Sequence, residues 1–326
     1  MPLLEVESLT VDYKTRSGAV RAVEDLSFFL EKGETLGLAG ESGSGKSTLG
    51  LSIIRLVPPS GRIVKGHIRI DGTDVLKLSE DQMRIIRGQK VAYIFQDPMT
   101  SLNPVKKIGS HFVELVQAHQ PNTKKDAATE QSKTILGKMG ILTERINDYP
   151  HQFSGGMRQR IMIGLAIALN PDLVIADEPT TALDVIVQAR ILDLLESLRK
   201  TYGMALILIS HDLSIIMERC DRIIVMYGGH MVEYADSTEL HNNPLHPYTQ
   251  GLLRSIPNIE LADQKLSAIP GSPPNMLHPP RGCRFSPRCE FARNECKLEE
   301  PSLVDVGNRH FVRCFSPSEE GAKDVE

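Results

Sequence analysis

The sequence predicts an α/β fold in which a mostly parallel sheet carries a phosphate-binding loop. Three observations predict it. Short apolar runs that read as buried strands alternate with stretches of helical periodicity, the pattern of a sheet covered on both faces. The run Gly40-Glu41-Ser42-Gly43-Ser44-Gly45-Lys46-Ser47-Thr48 fits Gly-x-x-x-x-Gly-Lys-Ser/Thr. An acidic pair, Asp177-Glu178, closes an apolar run about 130 residues later.

The elements follow in chain order. Residues 1 to about 35 read as β-rich, with alternation at Leu4-Glu5-Val6-Glu7 and an apolar run from Leu26 to Leu30. Glu34 to Ala39 reads as a short buried strand. After the glycine-rich loop, Leu49, Ile53, Ile54 and Leu56 keep near-helical spacing until Pro58-Pro59. His67 to Ile70 with Asp71-Gly72 reads as strand and turn, and Val91 to Phe95 as another buried strand. From about 104 to 148 the spacing is helical. Leu173 to Ala176, a helix through Ile191, Leu194, Leu195 and Leu198, and the strand Ala205 to Ile209 come next. Gly203 stands at the helix stop. Arg222 to Tyr227 and Met231 to Ala235 flank Gly228-Gly229, a hairpin signal. Nine of the 20 prolines fall between Pro257 and Pro317, which predicts an irregular appendage, and the polar end from Ser316 reads as disordered.

Composition narrows the function. The charge is 37 basic minus 41 acidic residues, or −4, so no global basic field argues for nucleic acid. No apolar run approaches the roughly 18 residues of a membrane span, and Met1 to Glu5 lacks a signal-peptide pattern. The expectation is a cytosolic chain that reaches a membrane only through partners.

The chemistry concentrates in a few residues. Glycines let loop N–H groups turn inward, and a helix N-terminus adds positive dipole character where phosphates sit. Lys46 is expected to reach the terminal phosphates, with Ser47 on Mg²⁺. Asp177 can hold Mg²⁺ and Glu178 can orient or deprotonate a water, although a solvated loop end is the blander reading of such a pair. Gln96, after a strand, can ligate Mg²⁺ through its carbonyl oxygen. His211, in Ser210-His211-Asp212, can touch a terminal phosphate or be structural. Ser154-Gly155-Gly156 before a helix reads as a second anion-binding nest, or as a plain helix cap.

Taken in order, these motifs resemble those of the ATP-binding subunit of an ABC transporter, over nearly all of residues 3–240. Gly40 to Thr48 matches its Walker A loop, Gln96 its Q-loop, and Phe153-Ser154-Gly155-Gly156-Met157 its signature. Leu173 to Glu178 matches Walker B, Ala182-Leu183-Asp184 the D-loop and His211 the switch histidine. The signature departs from the commoner Leu-Ser-Gly-Gly-Gln at Phe153 and Met157. The resemblance implies a P-loop ABC ATPase with a mixed sheet core, an antiparallel β subdomain and an inserted helical subdomain at about 97–165. Residues 1–240 would form this ATP-binding domain. It implies ATP contacts by Tyr13, stacked on adenine, by Glu41 to Thr48, and by Gln96, Ser154, Gly155 and Gly156. Lys46, Glu178 and His211 would be catalytic. Two such domains would meet head to tail, each ATP lying between one chain's phosphate loop and the other's signature. The implied partners are a second ABC ATPase subunit, in a heterodimer, two integral membrane permease subunits and an extracytoplasmic solute-binding protein, at the cytoplasmic face of the membrane; nucleic acid is not among them.

Residues 241–326 form the expected appendage. Asn243 to Leu253, Ile269 to Pro274 and Gly282 to Cys289 resemble segments of dipeptide/oligopeptide importer ATPases, a branch with relatives importing nickel or other small solutes. Cys283, Cys289, Cys296 and Cys314 stand with 5, 6 and 17 residues between them, while Cys220 reads as a buried apolar residue. Four thiolates suffice for Zn²⁺ or a [4Fe–4S] cluster, and the spacing does not choose. The resemblance favours iron–sulfur in a structural role. Arg281, Arg284, Arg288 and Arg313 could offset its charge. A soluble ABC ATPase acting on DNA or ribosomes is the competing class, but the long coiled coil or paired ATPase halves usual there are missing.

Overall fold

A computed structural model of the protein describes residues 1–97, 101–181, 183–256 and 269–316. Ala182 of the expected D-loop and the expected tail from residue 317 onward lie outside the described residues. The chain divides into two compact units.

One unit comprises Met1–Leu4, Leu30–Glu34 and Ile70–Ile207. Its strands Val91–Ile94 and Leu173–Asp177 run parallel, with Val91 opposite Leu173 and Ile94 opposite Ala176. Leu173–Asp177 is buried throughout, so its uninterrupted apolar run is what a strand covered on both faces needs. The helical region holds the helices Ile108–His119, Lys125–Lys138 and Gly155–Ile167. They enclose Phe112, Val116, Leu136, Met139 and Ile161, all fully buried. The helix Glu80–Gln89, not foreseen from the sequence, opens with a capping box between Ser79 and Gln82. Helix Val185–Tyr202 starts at Asp184, whose carboxylate accepts from Val187 N at 3.0 Å, and stops at Gly203 with φ +65°. Near its end Arg199 hydrogen-bonds Glu196 and draws that carboxyl down to about 2.

The other unit comprises Glu5–Phe29, Thr35–Arg69 and Leu208–Glu326. In one of its sheets the order is Gly18–Leu30, Leu4–Thr15, Gly61–Ile70. In its second sheet the order is Val304–Asp305, Phe311–Val312, His230–Asp236, Arg222–Tyr227, Thr35–Ala39. All neighbours there are antiparallel except the last two, which run parallel with Leu36 opposite Arg222 and Ala39 opposite Val225. The hairpin at Gly228-Gly229 is present, at φ +53° and +84°. The helix after the glycine-rich loop ends at Ile53, short of the expected Leu56. The appendage is less irregular than expected: its strands Val304–Asp305 and Phe311–Val312 extend the sheet.

The appendage is also a packed element. Tyr227, Tyr248 and Phe285 pack as tilted and edge-to-face rings with centroids 4.6 to 5.4 Å apart. Burial pushes His246 down to about 4, and its Nδ1 accepts from Tyr248 N at 3.0 Å, as a neutral imidazole can. Fully buried Glu233 accepts from Leu245 N at 2.7 Å, His246 N at 3.0 Å and His310 Nε2 at 2.7 Å. Among the described residues no helix is long and apolar enough to cross a membrane.

Candidate functional site

The phosphate loop lies between buried strand Thr35–Ala39 and helix Lys46–Ile53. Gly45, at φ +105°, has no room for a side chain, because a Cβ there would stand 2.2 Å from Ala22 O. Gly229 N donates to Ser44 O at 3.0 Å, so the hairpin turn steadies the loop. Lys46 is 5% exposed, and its ammonium donates to Gly40 O at 2.6 Å and Glu41 O at 2.9 Å. The cation is thereby held inside the loop by its own carbonyl dipoles, poised for an anion. Tyr13 is half-buried and its hydroxyl lies 3.4 Å from Thr48 Oγ1. His211 is exposed, two residues past strand Ala205–Ile209.

The carboxylates belong to the other unit. Val91–Ile94 and Leu173–Asp177 pair in register, and extending that register by two residues sets Gln96 beside Glu178. Gln96 Nε2 donates to Glu178 Oε2 at 2.9 Å, and Thr181 Oγ1 donates to the same oxygen at 2.9 Å. Tyr93 Oη donates to Asp177 Oδ2 at 2.7 Å, bracing a carboxylate that is 6% exposed. Glu178 holds φ +45°, a left-handed backbone that costs a residue with a Cβ about 1–3 kcal/mol and tends to persist where the geometry is used.

The signature loop is in the same unit as the carboxylates. Ser154 caps helix Gly155–Ile167, its Oγ accepting from Met157 N at 3.4 Å. The cap reading and the anion-nest reading are therefore compatible. Ser154, Gly155, Gly156, Arg160, Asp184 and Arg190 line a cavity of about 370 Å³. A Cβ at Gly156 would stand 2.7 Å from Val187 Cγ1, so only glycine fits there without displacing a neighbour. Both departures from the common signature are gripped by one residue, Arg145. Its guanidinium stacks 4.1 Å from the Phe153 ring centroid, and Nη1 lies 3.8 Å from Met157 Sδ. Nη2 donates to Gln152 O at 2.9 Å and Nε to Asp148 Oδ2 at 2.8 Å.

The four cysteines are brought together: all of them line one cavity of about 750 Å³, with His246, Phe285, Phe291 and Phe315. Cys283 N donates to Cys296 O at 2.8 Å. Burial pushes the Cys283 and Cys314 thiols up, and Cys289 to about 11. The expectation of a metal-binding appendage is met only this far. Among the described residues no group of three or more His, Cys, Asp or Glu side chains could hold a metal ion. Three of the four arginines expected to offset a cluster's charge are engaged elsewhere. Arg284 bonds Gly228 O and Glu24, Arg288 pairs with Glu41, and Arg313 donates to Met231 O and Pro301 O.

Arg145, Tyr93, Tyr248 and the pairing of Arg288 with Glu41 were not foreseen. Tyr93, Tyr248 and Arg288 act through contacts distant in sequence, with Asp177 and Glu41, while Arg145 acts on neighbours 3 to 12 residues away that no motif links to it.

Known proteins are similar throughout. The profile "ABC transporter" matches residues 23–181, and "Oligopeptide/dipeptide transporter, C-terminal region" matches residues 232–296. The chain is 44% identical over 319 residues to the oligopeptide transport ATP-binding protein OppD of Haemophilus influenzae, covering 98% of each. It is 42% identical over 325 residues to the dipeptide transport ATP-binding protein DppD of Escherichia coli, covering 99% of each. A dimeric post-hydrolysis structure of the ATP-binding cassette MJ0796 bound to ADP and Pi is similar at 26% identity. Its TM-score is 0.65, covering 72% of this chain and 98% of that one. This chain belongs to the ABC transporter family, in its branch of oligopeptide and dipeptide transport ATP-binding proteins.

Proposed function

We propose that this chain is the ATP-hydrolysing subunit that energises import of dipeptides or oligopeptides across the cytoplasmic membrane. The observation that carries the reading is its similarity, over nearly the full length of both chains, to oligopeptide and dipeptide transport ATP-binding proteins. Lys46 and the loop N–H groups from Ser42 to Thr48 bind the phosphates of ATP, with Tyr13 against adenine, while the expected contact from Glu41 is not carried over because its N–H donates to Tyr248 Oη. Ser47, Gln96 and Asp177 offer a hydroxyl, an amide carbonyl and a carboxylate, hard oxygen donors that suit Mg²⁺. Mg²⁺ held by such donors would supply neutralisation of the phosphate charge. Glu178, braced by Gln96 and Thr181, orients the attacking water and takes its proton, and His211 contacts the γ-phosphate. The Ser154-Gly155-Gly156 loop serves the ATP of a second ABC ATPase subunit, in a heterodimer. That pair works at the cytoplasmic face on two permease subunits supplied by an extracytoplasmic solute-binding protein.

Cys283, Cys289, Cys296 and Cys314 would hold a [4Fe–4S] cluster. What favours the cluster over zinc is the resemblance of this cysteine set to that of dipeptide-importer ATPases, and all four cysteines line one cavity. Bound there, the cluster supplies a covalent tie among four points of the appendage. Anaerobic purification should give a brown protein with iron and acid-labile sulfide in equal amounts. A colourless protein with stoichiometric zinc refutes the cluster.

Reconstitution with candidate permease and solute-binding subunits tests the transport reading. Peptide-loaded binding protein should stimulate ATP hydrolysis and peptide uptake together. Stimulation by DNA or ribosomes alone, or by a nickel-loaded binding protein alone, overturns it.

A further inference from the structure

Glu41 places a negative charge in the loop whose N–H groups and lysine gather phosphates. In this chain each polar group of Glu41 is held. Its N–H donates to Tyr248 Oη at 2.8 Å, and its carbonyl accepts from Lys46 Nζ at 2.9 Å. Its carboxylate accepts from Arg288 through both oxygens, at 2.8 Å from Nη1 and 3.0 Å from Nη2. Arg288 spends its other N–H groups on Pro270 O at 2.8 Å, Tyr227 Oη at 3.3 Å and Ile269 O at 3.3 Å. A guanidinium has five N–H donors, and these contacts occupy them all. The Arg288 side chain is 6% exposed, so the forked pair is fixed in place and poorly screened.

We propose that Arg288, from the appendage, is a positioning residue of the nucleotide site that cancels the Glu41 charge and pins the start of the phosphate loop. It does so without touching the nucleotide, since its donors are spent. The proposal rests on the reading that Gly40 to Thr48 binds ATP. An uncompensated carboxylate in this loop would repel a triphosphate and swing free, which weakens binding and leaves the chemical step alone.

Equilibrium binding of Mg-AMPPNP to the full chain tests this. Arg288→Gln is expected to weaken binding by about tenfold or more, with a deficit that shrinks as salt is raised. Glu41→Gln should bind at least as tightly as the parent. The double variant should recover to within about threefold of the parent, because the charge that needed cancelling is gone. A double variant as weak as Arg288→Gln overturns the proposal, and so does an Arg288→Gln protein that binds like the parent. If Arg288→Gln does not fold, Glu41→Gln carries the test alone, and binding about tenfold weaker than the parent overturns the proposal. A parent chain that fails to bind the analogue overturns the ATP reading itself.

Discussion

Glu178→Gln is expected to lower ATP turnover by about 10²–10⁴-fold while leaving ATP affinity near that of the parent. The exchange keeps the shape and an amide oxygen able to accept from Gln96 Nε2 and Thr181 Oγ1, the two donors now on Oε2. What it removes is the charge that takes a proton from water. The left-handed backbone at Glu178 is untouched, so folding and loop placement are preserved. Phosphate release and equilibrium ATP binding check the two halves separately. Near-parental turnover would remove Glu178 from the role of general base. Lost binding would make its role structural.

Glu233→Leu is expected to cost about 3–5 kcal/mol of stability, because it strands the groups that Glu233 now serves inside the protein. Those are the N–H groups of Leu245 and His246 and the imidazole of His310. The pH dependence has a definite sign. Burial pushes His310 down, but the hydrogen bond and charge of Glu233, with Glu239 at 3.6 Å, push it further up, to a net value above the ordinary 6.5. A raised imidazole contributes stability that is fully present below 6.5 and is lost as pH rises through the raised value. The gap between parent and variant should therefore be widest below 6.5 and narrow at alkaline pH. Denaturant midpoints across that range measure it. A gap that does not change with pH would remove His310 from the account.

The sequence made the ATPase legible because its chemistry is local. Gly40 to Thr48 needs only a preceding strand and a following helix. Gln96 and Glu178 become neighbours through a register that two apolar runs set. The appendage was read less well. Its prolines mark irregular backbone, yet Phe311–Val312 finds a ladder on His230–Asp236 because Glu233 recruits His310 across the sheet. Periodicity is blind to such a pair. The same holds for Arg288: four arginines near four cysteines invite a charge argument, whereas the fold commits three of them to partners distant in sequence.

Arg145 makes the two unusual signature positions depend on one another, because a single guanidinium holds both Phe153 and Met157. A lineage that replaces Met157 by Gln exchanges a weakly accepting sulfur for an amide oxygen that Nη1 can bond more strongly. One that replaces Phe153 by Leu takes away the ring face on which the cation rests. The two changes therefore act on Arg145 in opposite senses, and their effects on its placement should not simply add.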